Sequence, residues 1–101
     1  MSSERATISR DAVPRVSWEV RRRRYGERRW LVRHNDVYEI DPVTDAVWLG
    51  CADGLTVEAT IRGVAETFEL PLADAIARTV AALSGLAGLG FVELDVIEGG
   101  A

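Results

Sequence analysis

Hydrophobic residues recur at two different spacings along the chain, and the change of spacing divides it into two parts. Between Val16 and Ile40, apolar and polar residues alternate, which is the pattern of half-buried β-strands. The alternation predicts strands over residues 16–20, 30–32 and 37–40. Because the turns between consecutive strands are short, it favours a three-stranded antiparallel meander.

After Asp41 the apolar residues recur every three or four positions, which predicts three helices. Asp41 is a suitable N-cap, and Pro42 suits a first helical position. Thr56 is expected to begin the second helix. Gly54 and Pro71 are expected to separate the helices. The apolar stripes are Val43, Ala46, Val47, Trp48 and Cys51 in the first helix; Val57, Ile61, Val64, Ala65 and Phe68 in the second; and Leu72, Ile76, Thr79, Val80, Leu83 and Leu86 in the third. The fold class is therefore α+β and winged-helix-like, with a possible late strand over residues 91–97.

The chain of 101 residues is the size of one domain. Residues 1–14 lack apolar periodicity and are expected to form a flexible lead-in; residues 15–97 would be the folded domain and residues 98–101 a tail. No run of about 18 apolar residues occurs, and no apolar segment of a secretory signal precedes Arg15. We therefore expect a cytoplasmic protein that does not contact membranes.

Charge is distributed unevenly along the chain. All twelve basic residues are arginine, and residues 1–34 hold ten of them against four acids, whereas residues 35–101 hold two against twelve acids. A basic segment of this kind often has an anionic partner. Alternatively, the arginines neutralise nearby acids on a solvated face, and the sequence leaves both interpretations open.

Catalytic and metal-binding chemistry find little support in the residue types present. The single cysteine, Cys51, falls on an apolar helix face, where a buried thiol is common, and the single histidine, His34, falls in a predicted turn. No glycine-rich phosphate loop occurs. We expect a protein that is not an enzyme and has no cofactor, no catalytic residue and no metal ligand.

One ordered pattern carries more specific information. The strand end Ile40-Asp41, the bulky Trp48, the Asp53-Gly54 turn and the segment Thr56-Val57-Glu58 follow one another in a fixed order, and the chain closes with Leu83, Leu86 and Gly90-Phe91-Val92. This pattern resembles the PqqD-like family, also called RiPP recognition elements, over residues 16–95. The sequence departs from the family in having Asp41 in place of the usual asparagine, Pro42 after it, and Gly85 and Gly88 late in the third helix.

The resemblance implies a non-catalytic module that binds the leader of a ribosomally made precursor peptide. Such a module presents the peptide to a modifying enzyme, for example a radical SAM enzyme, a cyclase or a leader peptidase. In the family the leader adds as a strand beside the third strand and the third helix. The residues that would form this site are Val37, Tyr38, Glu39 and Ile40 on the strand and Ile76, Arg78, Thr79, Val80 and Leu83 on the helix.

Two other functions compete with leader binding. A generic interaction domain would use the free edge strand to dimerise or to bind a protein. A winged-helix shape also suggests nucleic acid, but Arg62 lies among Glu58, Glu66 and Glu69 in the second helix. Phosphate contacts supply most of the non-specific affinity for nucleic acid, and these acidic side chains would repel phosphates. We therefore do not expect nucleic-acid binding.

Overall fold

A computed structural model of the chain describes residues 6–94 and 96–98 as an α+β fold, in which a three-stranded sheet precedes three helices. The described strands are β1 (Ala6–Ile8), β2 (Arg15–Val16), β3 (Arg21–Tyr25), β4 (Arg28–Arg33), β5 (Asp36–Ile40), β6 (Val92–Glu93) and β7 (Val96–Glu98). The helices are α1 (Pro42–Ala52), α2 (Val57–Thr67) and α3 (Leu72–Gly88).

The sheet is an antiparallel meander with the order β3-β4-β5, so the predicted α+β class, with a three-stranded meander before three helices, is confirmed. Its first strand differs from the prediction. Residues 17–20 form a turn, in which the N–H of Val20 donates to the carbonyl oxygen of Ser17 at 3.1 Å, and Trp18 is 87% exposed. The strand that pairs with β4 is the arginine run, whose core-facing Arg22 binds a buried carboxylate and so conceals the usual alternation.

Two short ribbons connect the ends of the chain: β1 pairs with β7, and β2 pairs with β6, both antiparallel. The predicted lead-in is therefore wrong where the structure describes it. Ala6–Ile8 forms a strand, and the backbone carbonyl groups of Ala12 and Arg10 accept hydrogen bonds of 2.9 Å from the first turn of α2. Residues 1–5 and 99–101 lie outside the described residues.

The helices begin where local sequence signals placed them. The side chain of Asp41 accepts from the N–H of Thr44 at 2.7 Å, and the side chain of Thr56 accepts from the N–H of Ala59 at 3.1 Å. Gly54 follows α1 with φ of +78°, in the left-handed region that glycine adopts without strain. Across the described residues, no helix is long and apolar enough to cross a membrane.

A single core joins the sheet to the three helices. Leu31 from β4, Val47 from α1, Ile61 from α2 and Leu83 from α3 are fully buried in it. Phe91, which follows α3, is also fully buried and closes the core against the sheet. The helices thus cover one face of the sheet. They do not cover its opposite face or its strand edges.

Candidate functional site

The strand β5 forms an edge of the three-stranded sheet. It pairs with β4 from Arg33↔Asp36 to Arg29↔Ile40, and no strand within the described part of the chain pairs with its other side. An unpaired edge presents backbone N–H and C=O groups that another extended chain can pair with.

The register indicates which backbone groups of β5 face outward. The two-residue turn between β4 and β5 is closed by the pair Arg33↔Asp36, and His34 adopts φ of +55° in it. Hydrogen-bonded and non-hydrogen-bonded pairs alternate along an antiparallel ladder, starting from the pair that closes the turn. We infer that the N–H and C=O of Val37 and Glu39 point to the open side of β5.

The side chains of β5 divide between the two faces as the alternation predicts. Tyr38 and Ile40 lie on the side of the core, where the Tyr38 ring contacts Phe91 edge-on, with ring centroids 5.3 Å apart. Val37 lies on the opposite face and is 61% exposed. Residues 37–40 therefore offer an unpaired backbone edge with apolar side chains on both faces of the strand.

Glu39 is engaged in an ion pair across the sheet. Its carboxylate accepts hydrogen bonds of 2.9 Å and 3.1 Å from the guanidinium of Arg28 on β4. These hydrogen bonds lower the pKa of Glu39 and raise that of Arg28. Glu39 therefore stays ionised at neutral pH and contributes its backbone, rather than an unpaired charge, to the edge.

A cleft of about 300 Å³ lies where β5 ends, between the start of α1 and the exposed side of α3. Its lining consists of Asp41, Val43, Thr44, Arg78, Ala81 and Ala82. Of these, the site prediction includes only Arg78, whose exposed side chain lies beside the small alanines. Ala81 and Ala82 follow Arg78 by three and four residues, a helical spacing from which the sequence could have predicted that they lie beside Arg78.

The other predicted residues of α3 are placed more deeply. Thr79 and Leu83 have no exposed surface and belong to the core, so the prediction that they line the groove is wrong for these two side chains. Ile76 and Val80 are half-buried, and Ile76 packs against the core. The apolar stripe of a helix serves the core first, and a ligand reaches only the residues at its margins.

Arg33 holds the C-terminal end of α3 against the sheet. Its guanidinium donates to the backbone carbonyl oxygens of Gly90 at 2.9 Å and Leu89 at 3.0 Å, and it lies 5.0 Å from the centre of the Phe91 ring. A cation at the C-terminus of a helix is favourable because the last carbonyl groups lack intrahelical partners. This clamp fixes α3 beside the sheet and with it the position of the cleft.

Two more arginines of the basic segment serve the fold. Arg22 donates to both carboxylate oxygens of the buried Asp45 at 2.6 Å and 2.8 Å, and Arg29 donates to one of them at 3.1 Å. The hydrogen bond to Asp45 raises the pKa of Arg22. These contacts tie β3 and β4 to α1, so part of the basic segment neutralises an acid, but on the core-facing side of the sheet rather than on a solvated face.

The cysteine and the histidine occupy structural settings. Burial raises the pKa of Cys51 to about 11, so its thiol stays protonated at neutral pH. The exposed His34 has its Nε2 atom 2.9 Å from a carboxylate oxygen of Glu19. Within residues 6–94 and 96–98, no group of three His, Cys, Asp or Glu side chains is arranged to hold a metal ion.

A larger groove, of about 560 Å³, was not anticipated from the sequence. It lies beside β2 and β6 and is lined by Arg15, Val16, Ser17, Trp18, Ala87, Gly90, Val92 and Glu93. Arg15 and Glu93, which are opposite each other on β2 and β6, are paired at 3.4 Å, so their charges are matched. None of the predicted site residues lines this groove.

Comparison with known proteins adds no relative to this description. No protein-family model, no curated protein and no solved structure matches the chain.

Proposed function

We propose that this protein is a peptide-binding module of the cytoplasm that takes up an extended segment as a further strand on β5. The observation that carries the proposal is the open edge of β5, which ends at the cleft between Asp41 and Arg78. Strand addition needs unpaired backbone groups for affinity and neighbouring pockets for side-chain selection, and this region offers both.

The proposed ligand is the leader of a ribosomally made precursor peptide, and the proposed partner is the enzyme that modifies or cleaves it. The resemblance of the Ile40-Asp41, Trp48 and Asp53-Gly54 pattern to the PqqD-like family supports this class of ligand. The module itself would perform no chemistry and use no cofactor.

Side chains around the edge define what such a peptide would carry. Val37 and Tyr38 offer apolar surface on opposite faces of β5, so the added strand would have apolar residues at neighbouring positions. Arg78 lies in the cleft with two alanines and the carboxylate of Asp41. A small apolar side chain followed by a carboxylate would fit this lining, with Arg78 as its counter-charge.

The first experiment is a calorimetric titration of the protein with leader peptides encoded near its gene. Val37→Pro removes the backbone N–H that we place on the open edge, and Val37→Ala keeps that N–H while shortening the side chain. Loss of one edge hydrogen bond is expected to weaken binding about fivefold in the proline variant, because about 1 kcal/mol is lost. The alanine variant should bind within about threefold of the unaltered protein.

Urea denaturation of both variants provides the control for folding. Equal weakening by Val37→Pro and Val37→Ala would show that the side chain, not the backbone edge, holds the peptide. If no leader binds and the protein is a dimer that Val37→Pro dissociates, the edge serves a second copy of the chain. That outcome would replace leader binding with the interaction-domain alternative.

A further inference from the structure

The face of the sheet that points away from the helices has a composition of its own. Leu31, which is fully buried, and Arg29, which binds Asp45 of α1, mark the face that packs on the helices. Because side chains alternate along strands, the register assigns the opposite set to the other face. This outer face comprises Arg21, Arg23 and Tyr25 of β3, Arg28, Trp30 and Val32 of β4, and Val37 and Glu39 of β5.

Apolar side chains occupy the middle of the outer face. Trp30 and Val32 are adjacent on the central strand and half-buried, and Val37 is directly opposite Val32 and 61% exposed. The guanidinium of Arg28 lies 5.0 Å from the centre of the Trp30 ring. A central tryptophan with aliphatic neighbours and arginines at the margin is the composition of a protein-binding surface.

The charge of the outer face is not balanced within the molecule. Arg28 is paired with Glu39, but no acidic side chain of the described residues lies within ion-pair distance of Arg21 or Arg23. Arg21 and Arg23 lie on the same face of β3, with about 7 Å between their Cα atoms. This distance is shorter than the screening length at physiological salt, so the two charges are only partly screened from each other. Their mutual repulsion would be relieved by carboxylates supplied from outside.

We propose that the outer face is a docking surface for a protein partner that presents carboxylates beside aliphatic side chains. Charge complementarity with Arg21 and Arg23 would set its orientation, and contact with Trp30, Val32 and Val37 would contribute affinity. Two copies joined face to face through this surface do not fit, because they would bring two pairs of Arg21 and Arg23 together. Strand addition uses the backbone edge of β5, whereas this proposal uses the side chains of the outer face, and Val37 contributes to both.

Nucleic acid is the less suitable occupant of the outer face. Stacking with bases needs a free aromatic face, but the guanidinium of Arg28 lies over the Trp30 ring. Glu39 adds a carboxylate beside that ring, which would repel phosphate. Val32 and Val37 offer aliphatic surface, which suits protein side chains better than nucleotides.

The test uses three fluorescein-labelled probes and the full chain. The first is an amphipathic helical peptide with leucines on one face and glutamates beside them, the second is its lysine-for-glutamate counterpart, and the third is single-stranded oligothymidine. A helical probe cannot add as a strand, so its binding does not report on the backbone edge of β5. Binding is followed by anisotropy, and the contact surface by NMR shifts of the Trp30 indole N–H and of β3.

The expected result is that the glutamate peptide binds and shifts the Trp30 indole signal, whereas the lysine peptide binds at least about tenfold more weakly. Replacing Arg21 and Arg23 by glutamine should weaken binding about tenfold. Arg24→Gln is the matched control, because Arg24 is on the same strand with its side chain on the opposite face. It should change affinity less than about twofold.

Several results would overturn the proposal. An equal loss with Arg24→Gln would show a general charge effect rather than a face. Shifts confined to residues other than the outer face would place the contact elsewhere. Oligothymidine binding as tightly as the glutamate peptide would assign the face to nucleic acid, and no binding of the peptide below about 1 mM would mean that the face is only solvated.

Discussion

Asp45 neutralises two arginines of the basic segment, Arg22 and Arg29, within the fold. It is 5% exposed and accepts three hydrogen bonds from Arg22 and Arg29, which come from two different strands. Desolvated charges of this kind are tolerated only when paired, and removing one partner leaves the others uncompensated. The contact therefore specifies how α1 lies on the sheet as much as it adds stability.

Substitution of Asp45 by alanine is expected to lower the free energy of unfolding by about 3 kcal/mol. The physical reason is that two partly buried guanidinium groups lose their carboxylate at once. Asp53→Ala, at the exposed end of the same helix, is the control and should cost no more than about 0.5 kcal/mol. Urea denaturation followed by circular dichroism measures both, and similar losses in the two variants would contradict the role given to Asp45.

At the scale of elements, the junction between α3 and the sheet depends on one glycine. Gly90 has φ of +80°, and a Cβ atom placed there would lie 2.7 Å from Nη1 of Arg33. Gly54 has a similar φ of +78° after α1, but a Cβ there would meet nothing within 4 Å. Both glycines therefore adopt a positive φ, but only Gly90 also has an arginine side chain packed closely against it.

Gly54→Ala is expected to destabilise the protein by about 1 kcal/mol, the cost of the left-handed conformation for alanine. Gly90→Ala should cost up to about 1 kcal/mol more, because the added methyl group displaces the Arg33 clamp as well. Urea denaturation of both single variants, and of each combined with Arg33→Ala, measures the difference. An excess that persists after Arg33 is replaced would mean that the clamp is not its cause.

Helix boundaries were predictable at this scale, whereas the strands were predictable only in part. The caps Asp41 and Thr56 act on N–H groups three residues away, so the signal and its effect lie within one turn of chain. The first strand of the sheet was misplaced because Arg22 occupies a core-facing position. Its partner Asp45 lies 23 residues further along the chain, beyond the reach of any local pattern.

For the molecule as a whole, the N-terminal segment is fastened to α2 by a charged contact. Arg10 donates to Glu58 at 2.9 Å, and Arg62 of α2 donates to the same carboxylate at 3.0 Å. These hydrogen bonds, first that from Arg10 and then that from Arg62, lower the pKa of Glu58. The ionised carboxylate is therefore favoured in the folded state over the unfolded state.

This difference predicts a pH dependence. The contribution of Glu58 to stability is present above its ordinary pKa of 4.5 and is lost as the pH falls through the lowered value of the folded state. We expect Glu58→Gln to reduce the free energy of unfolding at neutral pH, and the difference from the unaltered protein to shrink progressively as the pH falls below 4.5. Glu66→Gln, on the same helix, is the control, and a difference that does not change with pH would refute the assignment.

The candidate site is predictable from the sequence for β5 and only in part for α3. Residues 37–40 form a strand because of their alternation, and the short turns of a meander leave such a strand at an edge. On α3 the same apolar periodicity identified Thr79 and Leu83 together with Ile76, but it does not distinguish core from cleft. Only the packing of α1 and α2 shows which side of α3 is covered.

The sequence by itself determined the succession of a three-stranded meander and three helices, the caps of α1 and α2, and the presence of an edge strand, since each depends on residues close together in the chain. The tertiary structure decided which groups the arginines contact and which part of α3 is exposed. Arg33, for example, finds its partner at Gly90, 57 residues away, because the sheet and the end of α3 are brought together by the core. Contacts over such separations follow from the summed burial of apolar groups from all elements, which no local segment specifies.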